Sequence, residues 1–497
     1  MRSIAWLAPA LLVLAYPALA DDIPKRPPNV IFILADDLGW ADISPQGSSF
    51  HETPNLERLA RRSARFTNYY AASPLCSPTR SSILTGLYPA RTGITAPACH
   101  LPAVQLEKRL AKGNRNQRVL NADSLTRLKG EYTTTAEILR DAGYATAHFG
   151  KWHLGHGAGY EPRDQGFELD IPHTPNAPGP GGGYLAPWRF VRDAVQPAPR
   201  PGEHIDTWMA SRAAEYIVSH KDRPFFMDFW LYSVHSPWNA RADLIERFRS
   251  KADPASPQRN PLYAAMVASL DDAVGILLDA VERAGVADDT IIVFTSDNGG
   301  WAYPPRATDP PGFDSIPATS NAPLRSGKAS NYEGGTRVPC LVSWPGRIEA
   351  SVREPLFSSV DWLPTLLTLA GLGAKRPSKL DGIDQTPAIL EGKECRREIY
   401  VHFPHGSDAQ SRNIPGFLPA TWVRVGDWKL IRFHADNPDG SDRLELFDLR
   451  RDVGETMNRA TEAPEVLADL SKRIEQFLVD TEAVVPKRNP QANATEE

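Results

Sequence analysis

Two acidic doublets stand where apolar runs end: Asp36-Asp37 after N-V-I-F-I-L-A, and Asp297-Asn298 after T-I-I-V-F-T-S. Carboxylates gathered in one place repel one another unless a cation compensates them. All four residues offer oxygen and none offers sulfur or imidazole, a donor set that selects Ca²⁺ or Mg²⁺ over zinc. Basic groups follow similar runs: Lys151 and His153 in G-K-W-H-L-G, His235 in S-V-H-S-P-W, and Lys328 in the loop G-K-A-S-N-Y-E-G-G-T-R. With Arg80 they would ring an anion beside the metal, and a tetrahedral oxyanion such as sulfate or phosphate suits that ring.

Cys76 belongs to the same set. It opens C-S-P-T-R, followed at once by S-S-I-L-T-G. Ser77 as N-cap and Pro78 at the first helical position predict a helix beginning here. Cys76 would then lie just before a helix N-terminus, where free N–H groups favour an anion and a thiolate is acidic and reactive. A thiolate is nevertheless a poor ligand for a hard cation. Residue types and spacing end on that contradiction.

The elements that must position these groups are strongly patterned. Asn29–Ala35, 145–149, 225–231 and 290–295 are continuous apolar runs, the mark of parallel strands buried on both faces. Between them lie helical stretches at 134–142, 204–220 and 261–284, so an α/β sheet covered on both sides is expected, with ligands at the carboxyl ends of its strands. Residues 171–203 are broken by Pro and Gly and read as a loop at the substrate rim. From about residue 397 the texture changes to short strands (E-I-Y-V-H-F, T-W-V-R-V, K-L-I-R-F, L-E-L-F-D-L) and a helix near 465–479, a smaller antiparallel α+β unit. The boundaries that follow are a signal peptide at 1–20, a catalytic domain at 21–395, a C-terminal antiparallel-sheet subdomain at 396–485 and a frayed polar tail at 486–497.

The leader pattern is Arg2, an apolar run, and Ala18-Leu19-Ala20 before Asp21, which predicts export to a periplasm or beyond the cell. No later stretch is apolar enough to span a bilayer. Among 497 residues, 41% hydrophobic and 23% charged with net charge −5, nothing suggests a nucleic-acid surface. Four cysteines rule out a disulfide scaffold; with Cys76 reserved for chemistry, Cys99, Cys340 and Cys395 allow at most one bridge.

C-S-P-T-R-S-S-I-L-T-G resembles the C-x-P-x-R signature of the formylglycine-dependent (type I) sulfatases of the alkaline phosphatase superfamily. N-V-I-F-I-L-A-D-D-L-G-W, H-E-T-P-N-L-E-R-L-A, G-K-W-H-L-G, T-S-D-N-G-G, G-K-x-x-x-x-E-G-G-x-R and D-W-L-P-T follow in that family's order. The resemblance implies an alkaline-phosphatase-like α/β fold and a sulfatase activity. It implies that a maturation enzyme oxidises Cys76 to Cα-formylglycine, whose hydrated diol presents the hard oxygen that sulfur could not. It further implies that Asp36, Asp37, Asp297, Asn298 and residue 76 bind one Ca²⁺. Arg80 and Lys151 then hold the diol, His153 contacts its second hydroxyl, and His235 and Lys328 bind the sulfate and protonate the departing alcohol. One diol oxygen attacks sulfur; loss of a proton from the other, to His153, expels sulfate by C–O cleavage and restores the aldehyde.

The expected substrate is a small-molecule or oligosaccharide sulfate ester, with exo action on a sugar monoester the favoured case. Rim candidates are His156, Trp188, Trp238, and His402 and His405 in Y-V-H-F-P-H-G. Two other readings remain open: a phosphonate or phosphate ester hydrolase of the same superfamily, against which Asn298 counts where such relatives carry histidine, and a sulfated-glycan binder without turnover.

Overall fold

A computed structural model of the chain describes residues 26–177, 179–180, 183–188, 199–304, 316–396, 398–406 and 413–492. The proposed leader and residues 493–497 of the polar tail lie outside the described residues. Asn29–Ala35 (β1) is buried along its whole length. Val30, Phe32 and Leu34 enter one apolar layer, and Ile31, Ile33 and Ala35 the other. A strand covered on both faces has no polar side, which explains the unbroken run.

Seven further strands complete the sheet: Ser63–Phe66 (β2), Ala145–Gly150 (β3), Leu169–Ile171 (β4), Phe225–Trp230 (β5), Thr290–Ser296 (β6), Cys340–Ser343 (β7) and Ser351–Arg353 (β8). Their order is β8-β2-β7-β6-β1-β5-β3-β4, with β7 antiparallel to its two neighbours and every other pair parallel. One layer holds Ile205–Ser219 (α3) and Pro261–Arg283 (α4). The opposite layer holds Cys76–Thr85 (α1), Thr135–Asp141 (α2) and Trp362–Leu369 (α5). Helix α4 starts where its sequence says it should: Asn260 caps the Leu262 and Tyr263 N–H groups and Pro261 takes the first helical position.

The smaller unit is Glu398–Phe403 (β9), Ala420–Val425 (β10), Trp428–Phe433 (β11) and Arg443–Asp448 (β12), antiparallel in that order, with Pro464–Asp480 (α6). One face carries Val401, Trp422, Ile431 and Phe447 onto Tyr70, Leu75, Tyr332 and Leu356 of the larger unit. The other carries Val423, Leu430 and Leu446 onto Leu470, Ile474 and Phe477 of α6.

The structure corrects several expectations. Helix α1 begins at Cys76 itself, with Leu75 as N-cap, so Cys76 is the first helical residue and Pro78 sits within the first turn, where its missing N–H has no partner to lose. The Ser77 hydroxyl donates to the His153 carbonyl at 2.6 Å instead of capping the helix. The segment beyond Pro486 is tied down as far as it is described: Lys487–Arg488 pair with Val119–Leu120, and the Asn489 amide donates to the Asn114 and Gln117 carbonyls. All four cysteines are free.

Candidate active site

The parallel register brings the chemistry together. Ala35 is opposite Ser296 and Leu34 opposite Trp230, so Asp36 and Asp297 emerge side by side and the His235 loop leaves from the adjoining tip. Gly150 lies opposite Trp230 at the end of β3, with φ +104°, and delivers Lys151 to the same edge. A Cβ at Gly150 would stand 1.9 Å from the Trp230 carbonyl oxygen, so only glycine lets the chain pass there.

Arg80 reaches this edge from α1, fully buried over the Trp230 ring. It grips Asp297 Oδ2 through Nε (3.0 Å) and Nη2 (2.6 Å) and donates to the Lys151 carbonyl (2.7 Å). Lys151 Nζ is 2.6 Å from Asp36 Oδ2. Lys328 Nζ is 2.6 Å from the Asp37 carboxylate and 3.7 Å from Cys76 Sγ. Asn298 donates to Asp37 Oδ1 at 2.8 Å, and His235 Nε2 lies 3.8 Å from Asp37 Oδ2. Three cations thus face three carboxylates around residue 76. A divalent ion added to that neutral set leaves a positive excess suited to an anion.

The loop bearing Lys328 is held from two sides. A Cβ at Gly299 would meet the Gly334 carbonyl at 1.8 Å, so the loop lies directly on the tip of β6. From the small unit, Pro415 accepts from Ser326 and Ser330, and Asn331 donates to Gly416 and Leu418. Buried Lys429 of β11 bridges Glu333 (3.0 Å) and Glu455 (2.9 Å). On the β1 side, Asp42 accepts from the Gly39 N–H and the Tyr263 hydroxyl, each at 2.7 Å, bracing the turn in which Asp37 holds φ +65°. Asp206 accepts the Tyr232 and Ser233 N–H groups, fixing the approach to His235.

Burial opposes ionisation throughout; neighbours overcome it at Asp37 and Lys328, whereas burial prevails at His235, Asp297 and Cys76. For Asp37, Lys328, His235 and Lys151 overcome burial and hold the carboxyl well below its usual range. Lys328 is raised in turn, Asp37 and residue 76 outweighing the cost of burial. His235 is pushed down to about 3 by burial and by Lys328. Asp297 rises to about 6 through burial and Asp36, against Arg80. Burial pushes the Cys76 thiol up to about 12 despite Lys151 and Lys328. The acidic thiolate expected at a helix start is therefore absent: desolvation exceeds what the helix and two cations return.

The donor set fits a hard cation. Ligand atoms of Asp36, Asp37, Cys76 and His235 lie within 4.8 Å of one another. Buried Asp36 Oδ1 and Asn298 Oδ1 have no hydrogen-bond partner among the described residues. Asp297 turns towards Arg80, and its Oδ1 accepts from the Asp37 N–H at 3.2 Å.

All ten residues expected to act on the metal or the diol meet here; the rim candidates make other contacts. His402 is buried in β9, with Nδ1 on Thr421 and Nε2 on the Val484 carbonyl, so it has no nitrogen to offer a substrate. His405 is occupied by Thr95 at 2.9 Å, and His156 takes a hydrogen bond from Arg127. Trp188 packs against Trp208 and Trp238 donates to the Val234 carbonyl, both in the core. The described part of the Pro/Gly insert lies against the His235 loop: the Tyr184 hydroxyl is 2.6 Å from the His235 carbonyl, and a Cβ at Gly179 would stand 3.2 Å from His235 Nδ1, while 178, 181–182 and 189–198 lie outside the described residues. His100, whose Nδ1 is 3.1 Å from His153 Nε2, was not legible beforehand: nothing in A-C-H-L marks it.

A family model described as Sulfatase matches residues 28–372, and one described as N-sulphoglucosamine sulphohydrolase, C-terminal, matches 327–481. Human N-acetylgalactosamine-6-sulfatase is 30% identical, over 94% of this chain and 88% of its own. Human arylsulfatase A is 32% identical, over 93% and 89% respectively. In fold, the chain is similar to the crystal structure of Ps i-CgsB (TM-score 0.71, 24% identity, 92% of this chain and 94% of that one). BT4656, solved with D-glucosamine-2-N,6-O-disulfate, gives TM-score 0.65 at 20% identity, covering 92% and 98%.

Proposed function

The chain belongs to the sulfatase family, and from that premise we propose that it hydrolyses a carbohydrate sulfate monoester, using formylglycine made from Cys76 and a bound Ca²⁺. The observation that carries this reading is the buried ring of Arg80, Lys151 and Lys328, interleaved with Asp36, Asp37 and Asp297 around residue 76. Asp36, Asp37, Asp297, Asn298 and residue 76 would hold the ion, which when bound supplies charge compensation and polarises a sulfate oxygen. Formylglycine, once hydrated, would supply a hard oxygen nucleophile and, on the same carbon, a second hydroxyl whose deprotonation expels the sulfated oxygen by C–O cleavage.

Arg80 and Lys151 fix the edge on which residue 76 presents its oxygens. Lys328, held cationic by Asp37, is the proton donor to the departing alcohol oxygen, and His235, neutral in this setting, contacts the sulfate. His153, kept below its ordinary pKa by burial and by Lys151, is the base for the second hydroxyl. The carbohydrate assignment is supported by the name of the N-acetylgalactosamine-6-sulfatase relative. The same reading takes residues 1–20 as an export signal, 21–395 as the catalytic domain, 396–485 as its C-terminal subdomain, and a formylglycine-generating enzyme as a partner in maturation. No helix among the described residues is long and apolar enough to cross a membrane.

The test pairs mass spectrometry of the peptide containing residue 76 with rates on matched aryl sulfates and phosphates, then a panel of defined sulfated sugars. Formylglycine with dominant sulfatase turnover is expected. Faster phosphoester turnover, or an unmodified thiol in protein from its native host, would sink the reading.

A further inference from the structure

His153 is buried, holds φ +56°, and keeps one ring nitrogen, Nδ1, without a protein partner among the described residues. Its other nitrogen meets His100 at 3.1 Å. Two neutral imidazoles in such contact share one N–H, one ring donating and the other accepting. The pair is built in rather than incidental, because buried Arg127 stitches together the loops that carry the two rings. Arg127 Nη1 donates to the Leu101 carbonyl (3.1 Å), beside His100. Arg127 Nε donates to the His156 carbonyl (2.9 Å), and Nη2 to His156 Nε2 (3.1 Å). The Leu128 N–H adds a bond to the Leu154 carbonyl (2.7 Å). On the far side, His405 of the small unit holds Thr95, five residues before His100.

We propose that His100 is a positioning residue for His153: by accepting the Nε2–H at its own Nδ1 it fixes the orientation and tautomer of the imidazole and leaves the Nδ1 lone pair available to take the proton at residue 76. Without His100 the ring can turn over and present either nitrogen, so the step that depends on His153 slows while the earlier step does not. This rests on the assignment of His153 to the expulsion of sulfate.

The experiment compares His100→Ala and His100→Asn with the parent enzyme carrying formylglycine. In His100→Ala, kcat should fall roughly tenfold with KM falling in step, so that kcat/KM stays within about twofold. Quenched reactions should show peptide 76 carrying covalently bound sulfate, which a merely structural lesion would not trap. His100→Asn, whose amide can reach towards Nε2, should recover part of kcat. In the unconverted Cys76 protein, ¹⁵N imidazole spectra should show the His153 Nε2 signal shifted in His100→Ala and returned towards the parent in His100→Asn. A rise in KM with unchanged kcat, or a fall of kcat and kcat/KM together without trapped sulfate, overturns the proposal while leaving the sulfatase reading intact. A parent enzyme active with an unmodified Cys76 overturns both.

Discussion

Cys76 lies between Lys328 and Asp37 with a thiol that burial keeps protonated, so as sulfur it is neither a nucleophile nor a ligand for calcium. Serine in its place keeps the size and the buried setting but offers no second hydroxyl on the same carbon. Cys76→Ser should therefore lose turnover by about a thousandfold or more while its melting temperature moves little, checked by calorimetry beside the assay. Full activity in that variant would remove the formylglycine mechanism. The unpartnered oxygens of Asp36 and Asn298 lead to a second expectation. Calcium at a hundredfold its dissociation constant should stabilise the protein by about 2.7 kcal/mol, read as a thermal shift that a chelator reverses. Asp37→Asn should abolish the response; a shift of equal size in that variant would argue against the site. Asp36, Asp37 and Asn298 were legible in the sequence because each is a polar group at the end of an apolar run, and Cys76 because it opens a family signature. His100, Arg127 and Asp42 were not, since their partners come from distant loops and no local pattern marks them.

Strand limits were legible almost to the residue, because a strand buried on both faces ends where its apolar run ends. The start of α1 was misjudged for a physical reason: the Ser77 hydroxyl is drawn to the His153 carbonyl, and that tertiary contact displaces the expected cap. Charge burial between elements could not be read from sequence at all. Glu333, in the Lys328 loop, is brought down to about 2 by Lys429 and Arg337 against burial. Glu455, sharing the same lysine, rises from 4.5 to about 7 because burial and the Glu333 charge outweigh it. A carboxyl whose folded pKa is raised binds more proton in the folded state than in the unfolded one between those two values. Its contribution is complete below about pH 4.5 and is lost as pH climbs towards 7. Glu455→Gln should therefore flatten the decline in stability across that window by something on the order of 2 kcal/mol, measured by urea unfolding at its two ends. An unchanged slope would show that Glu455 is ionised in the fold.

Across the whole molecule, the two sheets do not behave as separate bodies. The inner face of the small sheet shares a core with Tyr70, Leu75, Tyr332 and Leu356, and its 415–418 segment holds the loop that carries Lys328. Thermal unfolding should accordingly be one cooperative transition, with activity and both sheets lost together; two resolved calorimetric peaks would contradict it. The division into a large and a small unit was readable from changing texture along the chain, but their shared core was not, because it joins residues far apart in sequence. The Trp230 carbonyl beneath Gly150 has a consequence for the evolution of this scaffold. Backbone, unlike a side chain, cannot be exchanged to make room, so that codon is closed to drift and to any library. New substrate preferences must arise from the loops around the mouth, while the floor that delivers Lys151 stays as it is.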